Sequence, residues 1–155
     1  METYDYRAFI DEMIPVIAYV SDGRPLIEHN SIGDMPDYPF CTYQITSPYI
    51  PITSDVLENE QFELVVSFTW HGQSSLDMLN FAMRTNKYFR SPQGTETLSK
   101  KDIVASQVSN YGARDNFISI DYERSAGLDV RFRVSDNYVD TYTGTIDNIT
   151  FKNEN

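Results

Sequence analysis

The sequence predicts an α+β fold, a mostly antiparallel β-sheet with an N-terminal helix and one main helix packed on it. Three stretches carry that prediction. In "QFELVVSFTWHG", Phe62, Leu64, Val66, Phe68 and Trp70 share one parity, while Glu63, Ser67, Thr69 and His71 take the other. That is the pattern of a half-buried antiparallel strand. In "SSLDMLNFAMRTNKYFRSP", Ser74 stands as an N-cap with Asp77 behind it, and Arg84, Lys87 and Arg90 crowd the far end, which suits the helix dipole. In "YERSAGLDVRFRV", Tyr122 to Val134, two alternating runs flank a Ser-Ala-Gly that fits a three-residue hairpin loop.

The remaining elements follow in chain order. Tyr6, Phe9, Ile10 and Met13 recur at helical spacing and predict a helix from Tyr4 to Met13, ended by Pro15. "PVIAYV", Pro15 to Val20, then reads as a first strand with proline at its start. Residues 21–39 hold two Gly and three Pro and read as a long loop. Phe40 to Ile50 is a second strand, which Pro48 and Pro51 end or place at an edge. After the main helix, "QGTETLSKK" reads as a loop and Asp102 to Tyr111 as a strand. In the hairpin, Ile118 faces Val134, Ile120 faces Phe132, Tyr122 faces Val130, and Asp121 faces Arg131. Its opposite face then carries Asp121, Glu123, Arg131 and Arg133, a candidate subunit interface. A last strand, roughly Tyr142 to Phe151, closes a single domain spanning 1–155.

Composition narrows the function classes. Apolar residues make up 41% of the 155 and aromatics 14%, enough for a core. No apolar run approaches the ~20 residues of a transmembrane helix. The acidic N-terminus, "METYDYRAFIDEM", lacks the basic region and apolar stretch of a signal peptide. The single Cys41 rules out an internal disulfide framework or a cysteine-based zinc site. These features point to a protein made in a cytoplasm. Net charge is -11 and unevenly placed: residues 1–63 hold 12 acids and 2 bases, residues 64–155 hold 11 acids and 10 bases. Such a chain does not hold nucleic acid by neutralising phosphates. Solubility is the plain reading of the charge. The sharper one is a surface that repels DNA or imitates it.

Familiar catalytic signatures are missing. There is no G-x-S-x-G, Walker loop or dinucleotide fingerprint. His29 and His71 stand apart from any metal-spaced cluster, and His71 reads as an ordinary surface or turn residue. Cys41 reads as a half-buried strand residue. Asp11-Glu12 and the acids at 55, 58, 60 and 63 could suggest a carboxylate site, but adjacent helix acids read as a solvated face and the second group flanks a loop. The expectation is a protein that is not an enzyme and needs no cofactor or metal.

Several motifs in fixed order resemble the neck or tail terminator proteins of tailed bacteriophages. They are the N-terminal helix followed by "PVI", then "PDYPFCTYQITS", the "SFTWHG" strand, the helix ending in Pro-Gln-Gly, and "YERSAGLDVRFRV". The resemblance covers nearly the whole chain. It implies a structural virion protein, usually a hexameric ring, that ends the tail tube and joins it to the head. The implied partners are further copies of the chain, the tail tube protein and the head connector or completion protein. DNA would pass through without specific binding, and no membrane is involved. The place would be the virion neck, after assembly in the host cytoplasm. A negative lumen would ease that passage, with Asp34, Asp37, Asp55, Glu58, Glu60 and Glu63 as its candidate acids. Related readings are a head-completion or minor tail-tube protein, and one from another class is an acidic DNA mimic.

Overall fold

The computed structural model of the chain describes residues 1–142 and 144. Helix α1 (Tyr6–Ser21) leads into β1 (Leu26–Glu28), β2 (Phe40–Pro51) and β3 (Gln61–Gly72). Helices α2 (Ser75–Arg90) and α3 (Pro92–Ser99) follow, then β4 (Val104–Ala113) and β5 (Arg124–Ser135). The five strands form one sheet in the order β1-β2-β3-β5-β4. Only the β1–β2 pair is parallel. The architecture is the predicted α+β class.

The core lies between one sheet face and the helices. On β3 the predicted parity holds: Phe62, Leu64, Val66, Phe68 and Trp70 are at most 1% exposed. Their β5 partners Val134, Phe132, Val130, Leu128 and Ala126 share that face in an uninterrupted register. Phe132 meets Phe9 of α1 at 5.0 Å and Phe89 of α2 at 5.4 Å between ring centroids. Trp70 stacks on Phe81 and donates its indole N–H to Thr85 Oγ1 at 3.0 Å. Helix α2 is capped as predicted, with Ser74 accepting from the Asp77 N–H.

The structure corrects four readings. Pro15 does not end α1, and "PVIAYV" is helix, not strand. Phe9, Ile10, Met13, Val16, Ile17 and Val20 form one buried stripe through it. Burying Val16, Ile17 and Val20 is worth ~1.5–3 kcal/mol each, and together they exceed the ~3 kcal/mol proline cost. Pro15 itself faces solvent, so water can reach the carbonyl it leaves unpaired.

"QGTETLSKK" is largely helical as α3. Ser91 caps it by accepting from the Gly94 N–H, and Pro92 sits in its first turn. The 21–39 loop contains the short strand β1, whose Leu26 pairs with Cys41.

The fourth correction is the hairpin. Residues Arg124 to Ser135 run as one strand through Ser125-Ala126-Gly127, all buried. Gly127 serves close approach, because a Cβ there would collide with the Phe68 carbonyl and crowd the Arg114 guanidinium. Residues 117–122 form turns instead of a strand, so Ile118, Ile120 and Tyr122 have no partners on β5. The predicted strand at Tyr142 to Phe151 lies outside the described residues, apart from Tyr142 and Gly144.

Candidate functional site

The sheet face away from the helices is polar and carries the most developed constellation in the fold. It forms because the second parity of β3 (Ser67, Thr69, His71) stands beside Thr42 of β2 and Asp129 of β5. Arg114, just past β4, reaches across this face. It donates to Ser67 Oγ at 2.6 Å, Thr69 Oγ1 at 3.0 Å, Asp129 Oδ1 at 3.0 Å and the Asn110 carbonyl at 3.3 Å. Asn110 Nδ2 donates to the other Asp129 oxygen at 2.7 Å. Burial pushes the Asp129 carboxyl up, but hydrogen bonds from Asn110, Ser67 and Arg114 and the guanidinium charge outweigh it. The net position is below the usual carboxylate value.

A second chain of bonds runs from β2 to the 115–123 turn. Thr42 Oγ1 lies 2.9 Å from His71 Nε2, and His71 Nδ1 lies 2.9 Å from Glu123 Oε1. A carboxylate only accepts, so Nδ1 carries the proton toward Glu123, and the Thr42 hydroxyl, which can donate or accept, completes the chain at Nε2. Tyr38 donates to the other Glu123 oxygen at 2.8 Å. Burial, followed by the bond and charge of Glu123, pushes the Tyr38 phenol up to about 12. Tyr38, Phe40 and His71 stack in sequence, with centroids 5.6 and 5.1 Å apart. An open groove of about 700 Å³ is lined by this network together with Asn30 and Met35.

Hydroxyl, imidazole and carboxylate in that order can activate a nucleophile. Here Thr42 is 4% exposed and lies within the β2–β3 ladder. The arrangement instead ties the 29–39 loop and the 115–123 turn to the sheet. Among the described residues no group of three or more His, Cys, Asp or Glu side chains is placed to hold a metal ion.

The residues singled out from sequence separate in the structure. Asp121 is exposed in the turn, while Glu123 is held by His71 and Tyr38. Arg131 and Arg133 stand far along β5, and both face Glu63, at 4.0 and 3.6 Å. Arg124 to Arg131 alone spans about 23 Å of strand at ~3.3 Å per residue. Asp121 therefore does not face Arg131, and the four residues do not share one hairpin face. Of the six acids, Asp34, Asp37, Asp55 and Glu58 are exposed. Glu60 is 4% exposed and accepts from the Tyr49 hydroxyl at 2.7 Å. Glu63 also accepts from Ser106.

Sequence reasoning missed His71 and Arg114. The parity of β3 placed His71 on the polar face, but its partner Glu123 is 52 residues away. Nothing local marks Arg114. Cys41 is fully buried, deeper than expected, and burial pushes its thiol well above the usual range.

Fold and site together define a two-layer α+β protein whose open sheet face is polar and internally bonded. Among the described residues no helix is long and apolar enough to cross a membrane. A family model described as phage neck terminator protein matches residues 6–155, and the chain belongs to that family. It is thus a structural phage protein of the neck, associated with other virion proteins. No curated protein matches the chain.

Proposed function

We propose that this protein assembles into a ring, six copies in the usual form, at the head-proximal end of the tail tube. There it stops tube growth and offers a surface to the head connector or completion protein. The observation that carries this is the family match over nearly the whole chain. The fold supports it, because a ring needs two different faces meeting head to tail. The helix layer and the open sheet face supply two such surfaces. Arg131 and Arg133 are candidates for copy-to-copy contact, since their side chains stay 40% and 47% exposed despite pairing with Glu63.

DNA passing through the ring must not stick. Phosphate charge dominates non-specific DNA affinity, so exposed acids in the lumen favour passage. Asp34, Asp37, Asp55 and Glu58 can fill that role, whereas Glu60 and Glu63 are engaged internally. The host cytoplasm would be the place of assembly.

Size-exclusion chromatography with light scattering tests the ring. Six copies of 17.9 kDa make about 107 kDa. A monomer in solution that also enters tails as a single copy would end the reading.

A further inference from the structure

The turn between β4 and β5 leaves its largest side chains in water. Phe117 is 93% exposed, Ile118 88% and Tyr122 61%. Asp121 beside them is exposed too. This is not a loose segment. Asn116 Oδ1 accepts from the Ile118 N–H, and Ser119 accepts from the Tyr122 and Glu123 N–H groups. Asp115 accepts from the Ser125 N–H and pairs with Arg124 at 3.3 Å, while Glu123 is tied to His71 and Tyr38. The fold thus holds an apolar knob with an exposed carboxylate beside it, and large apolar side chains held out together in this way mark a contact site.

The helix layer carries a matching hollow. An open groove of about 550 Å³ lies between the ends of α1 and α2, lined by Tyr19, Val20, Met83, Arg84, Lys87 and Tyr88. Tyr19 is 60% exposed and Met83 38%. Among the described residues, Arg84, Lys87 and Arg90 make no ion pair. This is a cationic patch in a chain of net charge -11. Asp22, the left-handed cap of α1, is the one acid lining the groove.

Resting on the ring reading above, we propose that the 115–123 turn of one copy seats in the α1–α2 groove of the next copy. Phe117 and Ile118 cover the apolar floor, and Asp121 meets Arg84 and Lys87. Two observations select a second copy as the occupant. The charges complement each other, a carboxylate on the knob and cations in the hollow. The two surfaces also lie apart on the molecule: Asn116 and Glu123, which flank the knob, border the open-face groove, whereas α1 and α2 pack on the other face of the sheet. A knob and hollow so placed cannot meet within one chain. Between chains they make a heterologous, head-to-tail contact that leaves each copy with one free knob and one free hollow until a ring closes.

The test is a disulfide trap in assembled tails. Ile118→Cys and Met83→Cys are introduced together, with Cys41 left in place because it is buried. Tails carrying the variant are purified, oxidised and run without reductant. A ladder of disulfide-linked copies is expected, absent from either single variant. In parallel, Phe117→Asp with Ile118→Asp, both fully outside the core, should keep the circular dichroism of the native fold and lower self-association at least tenfold. Asp121→Lys should weaken association, and Arg84→Glu with Lys87→Glu should restore it in that background. If a lysine cross-linker shows several copies per tail but no disulfide ladder forms, the docking is overturned while the ring stands. If tails contain one copy, the ring reading fails and the docking fails with it. Protection of Phe117 in tails without the ladder would assign the knob to a different virion protein and also overturn the proposal.

Discussion

Replacing Arg114 by Met keeps most of the side-chain stem and removes the guanidinium that ties three strands of the open face together. The native group makes four hydrogen bonds, to Ser67, Thr69, Asp129 and the Asn110 carbonyl. Bonds that involve a charged partner contribute ~1.5–3 kcal/mol net, and neutral ones ~0.5–1.5. The Arg114 and Asp129 side chains are 24% and 21% exposed, so solvent screens part of this, and bonds in one network do not add. The expected loss is about 2–3 kcal/mol at pH 7. The pH dependence has a definite sign. Asp129 has a folded pKa below its unfolded value. Its contribution is therefore fully present above the unfolded value of ~3.9 and fades as pH falls through the folded one. Arg114→Met removes the Arg114 bond and charge from that depression and leaves the Asn110 bond, so the gap to the native protein is widest at neutral pH and narrows as pH falls from the unfolded value through the folded one. Urea titrations at pH 7, 5 and 3 measure it, with the single buried Trp70 as fluorescent reporter. A loss under ~0.5 kcal/mol at pH 7 would refute the clamp. An equal loss at pH 7 and pH 3 would refute its electrostatic account.

Other expectations follow from the same contacts. Phe132→Ala should destabilise by ~3–5 kcal/mol in urea titrations, because the ring is fully buried among Phe9, Phe68 and Phe89; a loss below ~1 kcal/mol would contradict the packing described. The Cys41 thiol should resist a disulfide-exchange reagent at pH 8 in the native protein and react once unfolded, since burial disfavours the thiolate. Arg131→Glu with Arg133→Glu should leave a folded chain, destabilised modestly by repulsion from Glu63, and should lower the oligomer mass if these residues join copies. Lys at Asp34, Asp37, Asp55 and Glu58 together should create measurable DNA binding at low salt and slow ejection; Lys variants that do neither would remove these acids from the lumen.

What the sequence determined by itself is the part of the fold governed by short periods. The alternation of Phe62 to Trp70 placed β3 and its inner face, and Ser74 with Asp77 placed the start of α2, because strand pleat and helix cap are set by residues within a few positions. The buried Val130 and Phe132, with Arg131 and Arg133 pointing away, also followed from parity. The failures share one cause. Pro15 and Ser-Ala-Gly are strong local punctuation, yet tertiary packing overrode both. The apolar stripe of α1 carried the helix past its proline, and Gly127 was needed where β5 passes close to Phe68 and Arg114. "QGTETLSKK" looked like a loop because the start of α3 rests on Ser91 capping the Gly94 N–H and on Gly94 fitting against the Tyr88 carbonyl. The open-face network was illegible for the same reason. His71 meets Glu123, and Arg114 meets Ser67 and Thr69, across 45 or more positions of chain. Only the order of strands in the sheet brings such partners within 3 Å, and that order is decided by the packed molecule.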